Sequence, residues 1–144
     1  MLPDEGNHGA CVVAWLTLAP EELGPGALLD LFDRGLDAVW QRANATLGDV
    51  TLTAIADRVV YTVAETHPLV AALKVGPAGF RFDDLRAERH LRAADVREIA
   101  RLVLTELLTV LGTLTAEILT PSLHAELGAV GRESSTPDDA GSHA

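Results

Sequence analysis

His67, His90 and His124 are spread singly over the middle and last third of the chain. Imidazole is the side chain best suited to metal ligation and to proton transfer near neutral pH. A helical metal site pairs such residues at i, i+4, as in His-Glu-x-x-His, and none of the three stands in that pattern. His124-Ala125-Glu126 does match the His-x-Glu fragment of zinc deaminases, in which the histidine binds zinc and the glutamate moves protons. That chemistry also needs a downstream Pro-Cys-x-x-Cys, whereas the single cysteine, Cys11, lies far upstream. His124 therefore reads as a helix-face residue near a C-terminus, where the helix dipole tolerates its charge. A haem asks for less, one axial histidine and an apolar pocket, and His67 before Pro68 or His124 after a leucine-rich stretch meet that minimum.

Nucleophilic catalysis finds less support. Three of the four serines, Ser134, Ser135 and Ser142, lie in a polar tail, and Ser122 follows Pro121 with no Gly-x-Ser-x-Gly elbow. Cys11 sits in an apolar run with no base nearby in sequence and reads as an inert core thiol. Gly76-Pro77-Ala78-Gly79 is no phosphate cradle, because its proline removes a backbone donor. Glu21-Glu22 and Asp83-Asp84 are paired acids of the kind turns leave in water. An enzyme would have to draw a general acid or base from Glu106, Glu117 or His124, and spacing alone does not assemble one.

The elements that must position these residues are mostly helices. Leu28, Leu31, Phe32, Gly35, Leu36, Val39, Trp40, Ala43 and Leu47 form one stripe opposite Asp30, Asp33, Arg34, Asp37, Gln41 and Asn44, which predicts an amphipathic helix over 27–47. Residues 50–63 are dense in β-branched side chains, as a hairpin turning at Ala56-Asp57-Arg58 would be. Yet Leu52, Ile55, Ala56, Val59, Val60 and Val63 fall at steps of three and four, and Asp49 suits an N-cap. A helix over 50–65 is the reading adopted. The apolar run 10–19, ended by Pro20, leans to helix without excluding a strand. Pro68–Leu73 is a short element closed by the turn 74–79, with Phe80 and Phe82 flanking a short extended piece. Asp95 and Glu98 suggest a capping box opening a helix to about Leu119, where Pro121 stops it, and a short helix over 122–129 follows.

The fold class is thus mainly α, a single-domain helical bundle over 10–130, with minor strands conceivable near 10–19 or 50–63 and α+β as the alternative. Residues 1–9 read as a flexible arm and 131–144 as a disordered tail. At 144 residues the chain buries enough surface to fold without disulfides or a structural metal. Its net charge of −10, with one lysine and ten arginines, argues against nucleic acid. The start carries acids where a signal peptide carries bases, which points to a cytoplasmic protein. Leu102–Leu119 approaches a membrane span in length, but Glu106 and Glu117 oppose insertion.

Two features suggest a partner. Between Leu102 and Leu119 apolar residues fall on two faces, with Leu104, Leu108 and Leu111 on the second, and a helix apolar nearly all round must be covered on most sides. The coverage comes from a partner surface, or from the other helices if this is simply the central helix of a bundle. Gly112 inside it costs about 1 kcal/mol relative to alanine and marks a packing contact or a kink. Separately, residues 81–101 hold six arginines and five acids, a local charge of +1 between stretches of −6 and −5. Arg86, Arg89 and their neighbours either pair with Asp83, Asp84, Glu88, Asp95 and Glu98 or dock an acidic or phosphorylated protein.

The expected function is accordingly a non-enzymatic regulatory or signalling module of bacterial-type composition. It would act as a homodimer or other homo-oligomer, or by docking another protein, with Leu104, Leu108, Leu111, Arg86 and Arg89 as contact residues. No cofactor or metal is expected. The alternative is a small-ligand sensor, haem among the candidates. Its apolar pocket would be closed by Trp15, Trp40, Phe80 or Phe82, with His67, His124 and Trp40 as ligand contacts.

Overall fold

The computed structural model describes residues 8–135, with side chains through Val130. Six helices make up most of it: α1 (His8–Thr17), α2 (Pro25–Leu47), α3 (Asp49–Ala64), α4 (Asp83–Arg86), α5 (Ala93–Leu114) and α6 (Thr120–Ser135). Two three-residue strands, β1 (Lys74–Gly76) and β2 (Gly79–Arg81), pair antiparallel between a 3-10 turn at Pro68–Ala72 and α4. The protein is mainly α. Both segments for which strands were conceivable, 10–19 and 50–63, are helical, and the strands lie in the turn region before Phe82.

Local chemistry explains most boundaries. Pro25 sits at the start of α2, where its missing N–H is no loss. Gly48, at φ 86°, ends α2 by donating to the Asn44 carbonyl and serves as N-cap of α3, so Asp49 is the first helical residue and not the cap. At α5 the expected capping box is shifted by three. Arg92 is the N-cap, and Asp95 reaches back to accept its backbone N–H at 3.1 Å, while Glu98 pairs with Arg101 instead. The Asp95 carboxyl is held below the usual carboxylate range, first by the Arg92 side chain and then by that backbone N–H. The helical region passes both expected limits: α1 begins at His8, and α6 continues to Ser135. Residues 1–7 and 136–144, expected as arm and tail, lie outside the described residues.

In α3 the β-branched content yields to packing, because Leu52, Ile55, Ala56, Val59 and Val63 form a buried stripe that a hairpin would split between two faces. α5 is the axis of the bundle. α1 and α3 flank it, sharing no substantial contact with each other, while α2 packs across it and α6 packs on α2. After Val96 its buried residues fall in four pairs, Ile99/Ala100, Val103/Leu104, Leu107/Leu108 and Leu111/Gly112, which makes a stripe wide enough for several neighbours.

Gly35 of α2 lies against the Trp15 ring of α1. A Cβ there would stand 2.8 Å from the Trp15 ring and 3.1 Å from Leu127. Gly35→Ala should therefore destabilise the protein by about 1–3 kcal/mol through overpacking, although alanine is the better helix former by about 1 kcal/mol. Urea denaturation measures this, and a variant as stable as the parent would contradict the packing described.

Candidate functional site

Leu104, Leu108 and Leu111 are each 0% exposed. The leucine face expected to meet a partner is covered by the chain's own helices, so α5 is the central helix of a bundle and those three residues offer no docking surface in this structure. The ligand candidates do not gather either. Trp40 is buried edge-on to Phe80, with Gly79 against its indole, and Phe32 meets Phe82 in the same way. His67 lies beside the start of α5, near Asp95 and Glu98, whereas His124 lies beside its end, near Gly112. Residues 98 and 112 of one helix are about 21 Å apart. The two histidines therefore cannot serve one haem or one small ligand.

The basic stretch is largely paired within the chain. Arg81 meets Asp83, Arg92 meets Asp95, and Arg101 meets Glu98 at 2.6 Å, the last bond lowering the Glu98 carboxyl and raising the guanidinium. Arg97 donates to the carbonyls of Leu16 and Pro20, pinning the end of α1 to α5. Arg86 bonds Asp30 at 2.8 Å, lies 3.7 Å from Asp33 and hangs over the Phe82 ring, so it ties α4 to α2. Desolvation raises the Asp33 carboxyl against the pull of that arginine. Arg89 is exposed. Arg86, Arg92, Arg97 and Arg101 are thus committed to contacts within the chain.

What sequence reasoning missed is a polar corner joining α1, α5 and α6. His8 is 3% exposed, and its Nδ1 lies 3.0 Å from His124 Nε2. Its Nε2 lies 3.3 Å from Glu117 Oε1, an ion-pair separation whose alignment falls short of a hydrogen bond. Thr120, also buried, donates to that same carboxylate oxygen. The backbone beneath is strained: Ala116 and Glu117 have φ of 52° and 64°, a left-handed conformation costing about 1–2 kcal/mol per non-glycine residue. The Glu117 N–H closes the turn on the Gly112 carbonyl. This turn, not Pro121, is what ends α5. Among the described residues no group of three or more ligands could hold a metal. His124 and Glu117 were both candidates for acid–base work, but the buried partner that unites them, His8, is 116 residues from His124.

A second feature is the outer strip of α5. Arg101, Leu102, Thr105, Glu106 and Val110 are half-buried, and Thr109 and Thr113 are exposed. Two grooves meet at Arg101, the smaller lined by Leu102, Thr105 and Glu106 of the strip and the larger by Ala94, Arg97 and Glu98. One of about 510 Å³ is walled by Val13, Leu16 and Thr17 of α1, and the other, about 180 Å³, by Thr62, Val63 and Thr66. A separate depression of about 580 Å³ runs past His67, Pro68, Leu69 and Glu88. No described helix is long and apolar enough to cross a membrane. Burial raises the Cys11 thiol, in keeping with an inert side chain.

Gly112 supplies the room for the corner, since a Cβ there would lie 2.6 Å from Glu117 Oε1 and 2.9 Å from His8 Nε2. Gly112→Ala should cost about 1–3 kcal/mol despite the better helix propensity, and should not change the fold. Thermal or urea unfolding decides it, and a stabilised variant would mean that the corner yields freely. No family model, curated protein or solved structure matches the chain.

Proposed function

We propose that the protein is a non-enzymatic regulatory or signalling module that acts by self-association, and that the surface used is the outer strip of α5. The observation that supports this is the pattern of that strip. With the leucine face enclosed, Arg101, Leu102, Thr105 and Glu106 are half-buried residues of α5 that line the grooves walled by α1 and α3. In an antiparallel pair of α5 helices about a two-fold axis, Arg101 of one copy falls opposite Glu106 of the other, and Leu102 opposite Thr105. The sequence is self-complementary in that register, as an isologous interface requires. Thr109 and Thr113, small for helix surface positions, allow close approach toward the ends.

Arg101 bonds Glu98 within its own chain, so exchange to Glu106 of a second copy costs little new desolvation, and the net gain of each pair is modest. Two symmetric pairs around a Leu102–Thr105 centre give register more than affinity. The alternative, a small-ligand sensor, draws on a different observation: His67 Nδ1 is buried without a hydrogen-bond partner beside the depression lined by Pro68 and Leu69.

Native mass spectrometry separates the readings. A dimer is expected for the parent chain, about tenfold weaker dimerisation for Arg101→Glu, and recovery when Glu106→Arg is added. A bare monomer at high concentration, or a dimer indifferent to Arg101→Glu, would overturn self-association through this strip. A monomer of increased mass would favour the sensor.

A further inference from the structure

We infer that the outer face of α3 is a second self-association surface, on which two copies of the chain pair antiparallel about a two-fold axis between Asp57 and Arg58. The inference goes beyond the pairing proposed for α5 and uses none of its residues, so the two contacts are tested separately.

α3 buries Leu52, Ile55, Ala56, Val59 and Val63 on one side. With about 3.6 residues per turn, Val50, Ala54, Asp57, Arg58 and Tyr61 fall within a stripe on the opposite side. All five are exposed, Val50 at 86% and Tyr61 at 68%. Asp57 and Arg58 make no side-chain hydrogen bond or ion pair with the described residues, whereas Arg81, Arg86, Arg92 and Arg101 each have a carboxylate partner. As neighbours in a helix they point about 100° apart and do not pair with each other. Beside the stripe lies a depression of about 640 Å³, lined in part by Ala54, Ala64 and Ala71. A projecting ring, a recess lined by small side chains and two open charges of opposite sign thus share one face.

That combination points to a second copy of this chain, because an isologous contact requires a face that complements itself. In the antiparallel register centred between Asp57 and Arg58, Asp57 of each copy falls opposite Arg58 of the other, and Tyr61 opposite Ala54. Each ring then enters the depression beside Ala54 of the other copy. Val50 falls opposite Glu65, whose methylene stem covers it. A slip of one residue in either direction sets Asp57 against Asp57 or Arg58 against Arg58, so the charges fix the register. The chain as a whole carries −10 and copies repel, but the stretch from Val50 to Tyr61 holds one acid and one base and is neutral. Exposed charge pairs contribute little, so the contact is weak, with a dissociation constant of roughly 0.1–1 mM. It leaves an α5 dimer as it is in dilute solution and joins dimers into larger even-numbered assemblies as concentration rises.

Sedimentation equilibrium from about 10 μM to about 1 mM, on the parent chain and on Arg101→Glu, tests this. The weight-average mass should rise roughly 1.5-fold or more across that range in both proteins, from dimer in the parent and from monomer in Arg101→Glu. Arg58→Asp and Asp57→Arg should each weaken this step about tenfold, although they move the net charge in opposite directions. The exchange of both, Asp57→Arg with Arg58→Asp, should restore it. Tyr61→Ser should weaken it to a similar degree. These positions are exposed, so every variant should unfold close to the parent's temperature, which a thermal melt checks. Constant mass in both proteins, single charge variants that associate like the parent, or an exchange that fails to restore association would each overturn the α3 contact. A parent chain that rises from monomer to dimer, indifferent to Arg101→Glu, keeps the α3 contact and removes the α5 pairing. A parent of constant dimer mass that Arg101→Glu turns into a monomer does the reverse.

Discussion

The structure depends on one constraint, the burial of α5. A helix with Val96, Ile99, Val103, Leu104, Leu107, Leu108 and Leu111 on a single broad face cannot sit at the edge of a small domain, and the remaining elements are arranged to cover it. α1 and α3 flank it, α2 crosses it with a stripe of its own, and α6 closes on α2. Each fully buried leucine of that face represents about 2–5 kcal/mol on truncation, so the alignment of these helices is the main store of stability. The hairpin of β1 and β2 contributes by seating Phe80 on Trp40, and α4 is tied to α2 through Arg86.

Enclosure of the apolar face moves the functional question to what the bundle leaves open. Most of the basic stretch is engaged within the chain, and its two long-range members, Arg86 and Arg97, tie segments together. Two surfaces along α5 remain with features that packing alone does not require. One is the outer strip of α5, where Arg101 and Glu106 flank Leu102 and Thr105. The other is the corner at its end, where polar groups are buried and the backbone is strained. They sit at the middle and just past the end of the same helix.

Much of the fold was legible in the sequence because it follows from period and punctuation. The stripe from Leu28 to Leu47, the helical spacing from Leu52 to Val63, and Pro68, Gly76 and Gly79 as breaks all correspond to observed elements. The end of α5 was misplaced because Pro121 is a visible stop, whereas two left-handed residues, alanine and glutamate, carry no sequence signal. The polar corner was illegible for another reason: its members come from positions 8, 117, 120 and 124, and His8 fell in a stretch with no periodicity. Gly112 was the single clue, a residue whose cost in a helix marks a packing contact or a kink, and the contact is with Glu117 and His8. Which side of α5 lies open could not be read from a helix apolar on two faces, since that depends on how many helices surround it.

Self-association through the open side of α5 is the central claim, and the geometry between copies tests it most directly. A spin label at Leu114→Cys, at the exposed end of α5, in a Cys11→Ala background, reports the distance between α5 helices by pulsed electron resonance. Antiparallel helices about 8–10 Å apart, paired at Arg101 and Glu106, place the two labels at a single intermolecular distance of roughly 25–45 Å, lost in Arg101→Glu. No intermolecular distance, or one unchanged by Arg101→Glu, would contradict it.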